Sequence, residues 1–121
     1  MCTTSPRATR IKKELPGGKG DLSIRSHEEP ASVILELSGA ATAPNAEKAI
    51  QSFRRALQAG KQIIVDVSGT RSVDPRFFGL FLMLRKQLAG QGRQLTFVGV
   101  SPPVRRIFRL NKFDFLLPRE V

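Results

Sequence analysis

Residues 63–117 decide the fold of this chain. They read IIVDVSGTRSVD (63–74), PRFFGLFLMLRKQLAGQG (75–92), RQLTFVGV (93–100), SPPVRRIFRLNK (101–112) and FDFLL (113–117). The run at residues 63–65 is continuously apolar, which is typical of a strand that is covered on both faces. Pro75 can open a helix and Gly90 can close it, and residues 95–100 then form a second inner strand. The segment therefore alternates strands with helices.

The segments before it extend this alternation. Residues 22–27 alternate apolar and polar side chains, residues 28–31 form a turn, and residues 33–37 return as a second strand. Pro44 can start a helix, because its missing N–H would have no helical partner there anyway. An apolar face at helical spacing follows, and Gly60 can end this helix. The members of that face are Ala46, Ala49, Ile50, Phe53 and Leu57.

The third helix begins at Ser101, whose side chain can cap it, with Pro102 in its first turn. A hairpin followed by alternating helices and strands predicts an α/β fold with a mixed sheet, made of an N-terminal hairpin and then parallel strands. Right-handed crossovers should place the helices mainly on one face of the sheet. We expect this domain to span residues 21–121. Residues 1–20 lack apolar periodicity and are predicted to be a disordered basic tail or a linker.

Two motifs within this pattern resemble the STAS domain, the anti-sigma-factor-antagonist fold of bacterial partner switching. One is the Asp-led segment before the apolar helix. The other is the Val-Gly-Val-Ser-Pro segment before Val-Arg-Arg-Ile-Phe. The resemblance covers residues 63–117 by motif and residues 22–60 by the order of elements alone. It implies a STAS-like sandwich and a regulatory domain that binds other proteins.

The segment between the third strand and the second helix is predicted to be a loop. Loops at the carboxyl ends of parallel strands are where open α/β sheets place their ligands. The resemblance implies that this loop meets a kinase-like partner and presents a phosphorylated hydroxyl. Ser68, Thr70 and Ser72 are conceivable acceptors, although their spacing does not match the family position. We expect Asp66 and Asp74 to shape the loop rather than to act as a general acid and base.

Arg76 stands where the resembling family carries its phosphorylated hydroxyl. The family usually reads Asp-Ser-Ser/Thr-Gly-Leu-Gly, whereas residues 74–79 read Asp-Pro-Arg-Phe-Phe-Gly. Arginine has no hydroxyl to form the phosphate ester of the family's switch, so we interpret the domain as a constitutive binder. Two alternatives remain for this side chain. Arg76 extends into water beside a relic of a switch, or it joins Arg71 and the helix N-terminus in a fixed receptor for anions or acidic side chains.

The second helix is apolar on more than one face. One stripe at 100° steps should face the core. It consists of Phe77, Leu80, Phe81, Leu84 and Leu88. Phe78 and Leu82 lie about a third of a turn away, side by side at i, i+4. We predict that Phe78 and Leu82, fringed by Arg76 and Arg85, form a docking ridge for a partner protein or a second copy. The alternative is that they pack against a neighbouring helix of the same domain.

Charge and composition narrow the classes of function. The 121 residues include 20 Lys and Arg against 10 Asp and Glu, and the net charge of +10 favours anionic partners. A basic stripe lies on the third helix without interleaved aromatic side chains or a base-reading motif, so we do not expect a nucleic-acid partner. The stripe is Arg105, Arg106, Arg109 and Lys112. No apolar run approaches the roughly 20 residues of a membrane-spanning helix, and we expect a cytoplasmic protein.

We predict no catalytic residue, no metal site and no cofactor. His27 is the only histidine and Cys2 the only cysteine, which leaves too few groups for a nucleophile–base pair or a zinc site. Three functions remain open. The first is a non-catalytic regulatory module that binds a kinase-like, anti-sigma-like, fused or neighbouring protein. The second is an accessory STAS module of a larger bacterial protein, such as an envelope-polysaccharide glycosyltransferase or a transporter. The third is a charge-driven binder of nucleic acid or anionic membrane.

Overall fold

The structure is a computed structural model, and it describes residues 20–118. Its strands are β1 (Leu22–Glu28), β2 (Ser32–Ala41), β3 (Gln62–Val73) and β4 (Leu95–Val98). Its helices are α1 (Ala46–Gln58), α2 (Pro75–Ala89) and α3 (Pro102–Leu110), with 3-10 turns at Ala43–Asn45 and Asp114–Leu116. Cys2 and all of the predicted tail except Gly20 lie outside the described residues.

The four strands form one mixed sheet in the order β1-β2-β3-β4. β1 runs antiparallel to β2, while β2, β3 and β4 are parallel, which confirms the predicted hairpin and the α/β class. Val33 pairs with Ile63, Leu35 pairs with Val65, and all four side chains are buried. Successive side chains point to opposite faces of a strand, so Ile64 lies on the other face, where it is half-buried. Within residues 20–118, the expectation that residues 63–65 are covered on both faces is therefore wrong.

Aromatic rings join the helices to the inner face of the sheet. Phe81 of α2 lies 5.0 Å from Phe97 of β4, 6.2 Å from Phe53 of α1 and 6.3 Å from Phe108 of α3, measured between ring centroids. All four rings are buried, and burying each contributes about 1.5–3 kcal/mol. Because one ring touches both a strand and the other two helices, the helices share one face of the sheet, as predicted.

The helix ends follow local sequence signals. α2 has the predicted bounds, and the Ser101 hydroxyl accepts a hydrogen bond from the Val104 N–H at the start of α3, at 3.4 Å. Gly60 follows α1 with φ of +74°, a left-handed conformation that favours glycine. Pro44 lies in the 3-10 turn, so α1 begins just after it. A turn of 3-10 helix is a common way for an α-helix to start.

Candidate functional site

Asp74 ties the start of α2 to the turn before α1. Its side chain caps α2, with Oδ1 accepting from the Phe77 N–H at 3.2 Å. Oδ2 accepts from the Ala43 N–H at 2.7 Å, and the Asp74 N–H donates to the Ala41 carbonyl at 3.1 Å. Both carboxylate oxygens thus already accept hydrogen bonds inside the domain. This arrangement agrees with the expected shaping role.

Arg76 is the second residue of α2 and is exposed to solvent. Pro75 precedes it at the first helical position and contributes no N–H, so one of the donors that usually meet an anion at a helix start is missing. A cation in the first turn opposes the helix dipole, which costs on the order of a few tenths of a kcal/mol. The opening turn of α2 therefore presents a fixed positive charge.

The segment predicted to be a loop is largely strand, so this prediction is wrong. β3 continues to Val73 because Val65 and Val67 keep pointing inward and because the segment pairs with the end of β2. Two register shifts in this pairing insert extra residues into β3. One of these irregularities precedes the pair Ser38–Gly69. The carboxyl-terminal half of β3 is thus held on one edge by β2.

The three predicted acceptor side chains occupy different environments on β3. Thr70 is only 6% exposed, and its hydroxyl donates to the Leu37 carbonyl at 2.8 Å. The Thr70 hydroxyl is thus buried and hydrogen-bonded within the domain. Ser68 is exposed and Ser72 is half-buried. The Ser68 N–H donates to Asp66 Oδ1 at 2.9 Å, so Asp66 shapes the strand locally.

Phe78 is not the exposed crest of a ridge. It is 0% exposed, and its ring lies 4.9 Å from Phe108 edge-on and 4.6 Å from Phe113 in a stacked arrangement. Leu82 is half-buried and packs against the core. Phe78 and Leu82 therefore pack within their own domain, which was the alternative to a docking ridge. The second apolar row of α2 exists because α3 and the segment after it cover that flank.

Arg85 lies against Phe115, an aromatic residue that was not among the predicted site residues. Its guanidinium carbon lies 5.6 Å from the centroid of the Phe115 ring, a cation–π distance, and Phe115 is 56% exposed. Phe115 belongs to the Phe-rich end at residues 113–117, whose composition was visible in the sequence but whose position beside α2 was not. Arg85 and Phe115 together form the outer edge of that flank.

An open groove lies on the opposite flank of α2, between α1 and α2. Its volume is about 650 Å³, and apolar side chains of both helices line it, including Ile50, Leu57 and Met83. Arg54 and Arg76 also line this space, which we call the α1–α2 groove. Met83 was not among the predicted site residues, and nothing in the sequence of α2 alone connects it with α1. The signal available was the spacing of Ile50 and Leu57, which are one heptad apart.

Between residues 20 and 118, no three His, Cys, Asp or Glu side chains are grouped so that they could hold a metal ion. His27 Nε2 lies 3.3 Å from Glu36 Oε2 on the outer face of the sheet. In the same range, no helix is both long and apolar enough to cross a membrane.

Comparison with known families settles the classification. A family model described as "Mlab, STAS domain" matches residues 24–118. The chain belongs to the STAS domain family. A STAS-domain containing protein of Pseudomonas aeruginosa (strain UCBPP-PA14) is 26% identical over 65 residues. That match covers 54% of this chain and 64% of the relative, so the chain spans less than two thirds of the length of this curated relative.

Solved structures share the fold of this STAS domain. An anti-sigma factor antagonist from Mycobacterium paratuberculosis superposes with a TM-score of 0.71 and 14% identity, over 81% of this chain and 84% of the other. The anti-sigma factor antagonist SpoIIAA in its unphosphorylated form gives a TM-score of 0.68 and 18% identity, over 82% and 89%. These similarities confirm the antagonist-like fold that the sequence motifs predicted.

Proposed function

We propose that this STAS domain is a non-catalytic regulatory module that binds a partner protein in the bacterial cytoplasm. We propose further that its binding is not switched by phosphorylation at the usual family position. Arg76 carries this proposal. It lies in the opening turn of α2, and the resemblance to the family motif aligns it with the acceptor hydroxyl. A side chain without a hydroxyl there cannot form the phosphate ester by which the family switches.

The surroundings of Arg76 support a constitutive site. The carboxylate of Asp74 is engaged by two backbone N–H groups, which keeps the start of α2 in one geometry. Thr70 is buried and bonded, so it does not offer a replacement hydroxyl. Asp74, Arg76, Leu82 and Arg85 remain our proposed partner contacts, with Phe78 as a support beneath them.

The proposal is tested by comparing the wild-type protein with variants at Arg76. Tagged wild-type protein, Arg76→Ser and Arg76→Ala are used for affinity capture from the source cells, with and without added ATP, followed by phosphopeptide mapping. Arg76→Ala is the matched control, since it removes the charge without supplying a hydroxyl. We expect the wild type to retain its partner with or without ATP and to carry no phosphate on residues 62–76.

Two results would overturn the proposal. One is a phosphate on Ser68 or Ser72 of the wild type that releases the partner. The other is the absence of any protein partner for the wild type at moderate salt. If binding occurs only at low salt and to nucleic acid or anionic vesicles, the charge-driven alternative is correct, because such binding weakens steeply as salt is raised.

A further inference from the structure

The α1–α2 groove has the form of a helix-binding site. On α1 it is lined by Ile50, Phe53, Arg54 and Leu57, and on α2 by residues between Arg76 and Gln87. These are the i, i+3, i+4, i+7 spacings of two facing helical stripes. At 1.5 Å per residue the α2 stripe is about 16 Å long, which matches roughly three turns of a bound helix. Met83 is 61% exposed there although it is apolar.

Gly79 marks the groove as a place of close approach. It lies in the interior of α2, where a glycine costs about 0.5–1 kcal/mol relative to alanine. Nothing within the described chain requires it, since a Cβ built at Gly79 would meet no atom within 4 Å. Its φ is not positive either. A glycine that the domain itself does not need, facing an open apolar groove, is suited to an occupant whose backbone comes close to α2.

The charged side chains that line the groove favour an acidic occupant. Arg54 and Arg76 line the groove, and no carboxylate is among its lining residues. Within residues 20–118, neither guanidinium forms an ion pair with an Asp or Glu side chain. The whole chain carries a net charge of +10, so a second copy would bring more positive charge to this rim. Acidic side chains on the occupant would instead complement both arginines.

We propose that the α1–α2 groove binds an acidic amphipathic helix of a partner protein. Its apolar stripe lies between Ile50, Leu57 and Met83, its backbone passes over Gly79, and its flanking carboxylates meet Arg54 and Arg76. This inference rests on the proposed function and specifies the chemistry of the partner. The mode is a helix in a groove, with apolar side chains providing affinity and charges providing orientation.

The test uses a defined probe and a variant that fills the groove. The probe is a fluorescein-labelled synthetic peptide of about 18 residues with Leu at i, i+3, i+4 and i+7, Glu beside this stripe and Ala on the remaining face, a length and composition that favour a helix. Its controls are a scrambled peptide of the same composition and a version with Lys in place of Glu. The protein variants are Gly79→Leu and Ala89→Leu. Ala89 is an exposed position of α2 outside the α1–α2 groove, so it is the matched control for added bulk.

Fluorescence anisotropy at physiological salt should give at least a tenfold weaker Kd for the scrambled and Lys peptides. Gly79→Leu should weaken binding of the acidic helix at least tenfold, whereas Ala89→Leu should leave it unchanged. Circular dichroism melts check that both variants are folded. Because the space above Gly79 is empty, the substitution should not disturb the domain.

Several results would overturn this inference. The acidic helix could bind no better than the scrambled peptide, or Gly79→Leu could bind it as well as the wild type does. Self-association in sedimentation, or binding to anionic vesicles, that Gly79→Leu abolishes would assign the groove to a second copy or to lipid. In the capture experiment, a partner retained equally by wild type and Gly79→Leu would refute the groove but not the proposed function. A wild type without any partner would refute the proposed function itself.

Discussion

The two flanks of α2 differ in whether the rest of the domain covers them. On one flank Phe78 is fully buried beneath Phe108 and Phe113, while on the other Gly79 and Met83 border an open groove. Phe78 and Gly79 are consecutive in sequence and only about 100° apart around the helix. An apolar side chain outside the main stripe of a helix is therefore no sign of docking by itself. What decides is whether another segment of the chain reaches it.

The largest expected difference between the flanks is in stability. Phe78→Ala should lower the free energy of unfolding by about 3–5 kcal/mol, because it removes a ring that contacts two others and leaves a cavity. Met83→Ala should change it by less than about 0.5 kcal/mol, since Met83 is exposed. Urea denaturation measures both. Equal effects at the two positions would mean that the flanks are not distinguished by burial.

A smaller effect on the free energy of unfolding is expected at Asp74, where α2 begins. Asp74→Ala should cost about 1–2 kcal/mol, because it removes the cap of α2 and the acceptor for the Ala43 N–H. Asp74→Asn should cost less, since the amide keeps one acceptor oxygen. Chemical denaturation provides the comparison. A loss below about 0.5 kcal/mol for the alanine variant would show that the cap contributes little.

The smallest expected effect is a gain on the open flank. Gly79→Ala should stabilise the domain by about 0.5–1 kcal/mol, because alanine favours the helix and its Cβ meets no atom within 4 Å. Gly90→Ala, at the C-cap of α2, is a useful comparison because its Cβ would contact backbone oxygens at 3.6 Å. Thermal unfolding measures the shift. A destabilising Gly79→Ala would mean that the domain itself requires this glycine.

Much of the fold was predictable because its signals are local. Pro75 and Gly90 bracket α2, Ser101 caps α3, and the alternation in residues 22–27 forms β1. The extension of β3 was not predictable in the same way. Residues 66–74 contain Ser, Gly, Thr and Asp, which usually signal a loop. Their pairing with the end of β2 depends on a segment about thirty residues earlier, and such contacts leave no local pattern.

The candidate site is likewise only partly predictable from the sequence. Arg76 in the opening turn of α2 follows from the residue order alone, since a helix that starts at Pro75 must place the next residue there. That the opposite flank of α2 is open does not follow from the residue order. Phe113 covers Phe78 and α1 stops short of covering Met83, and both facts depend on how distant segments pack. The sequence by itself determined the helices, their caps and the charge at the start of α2, because these depend on neighbouring residues. Only the tertiary structure decided which flank beside the core stripe of α2 is covered and which is open, because burial there depends on contacts between parts of the chain that are far apart in sequence.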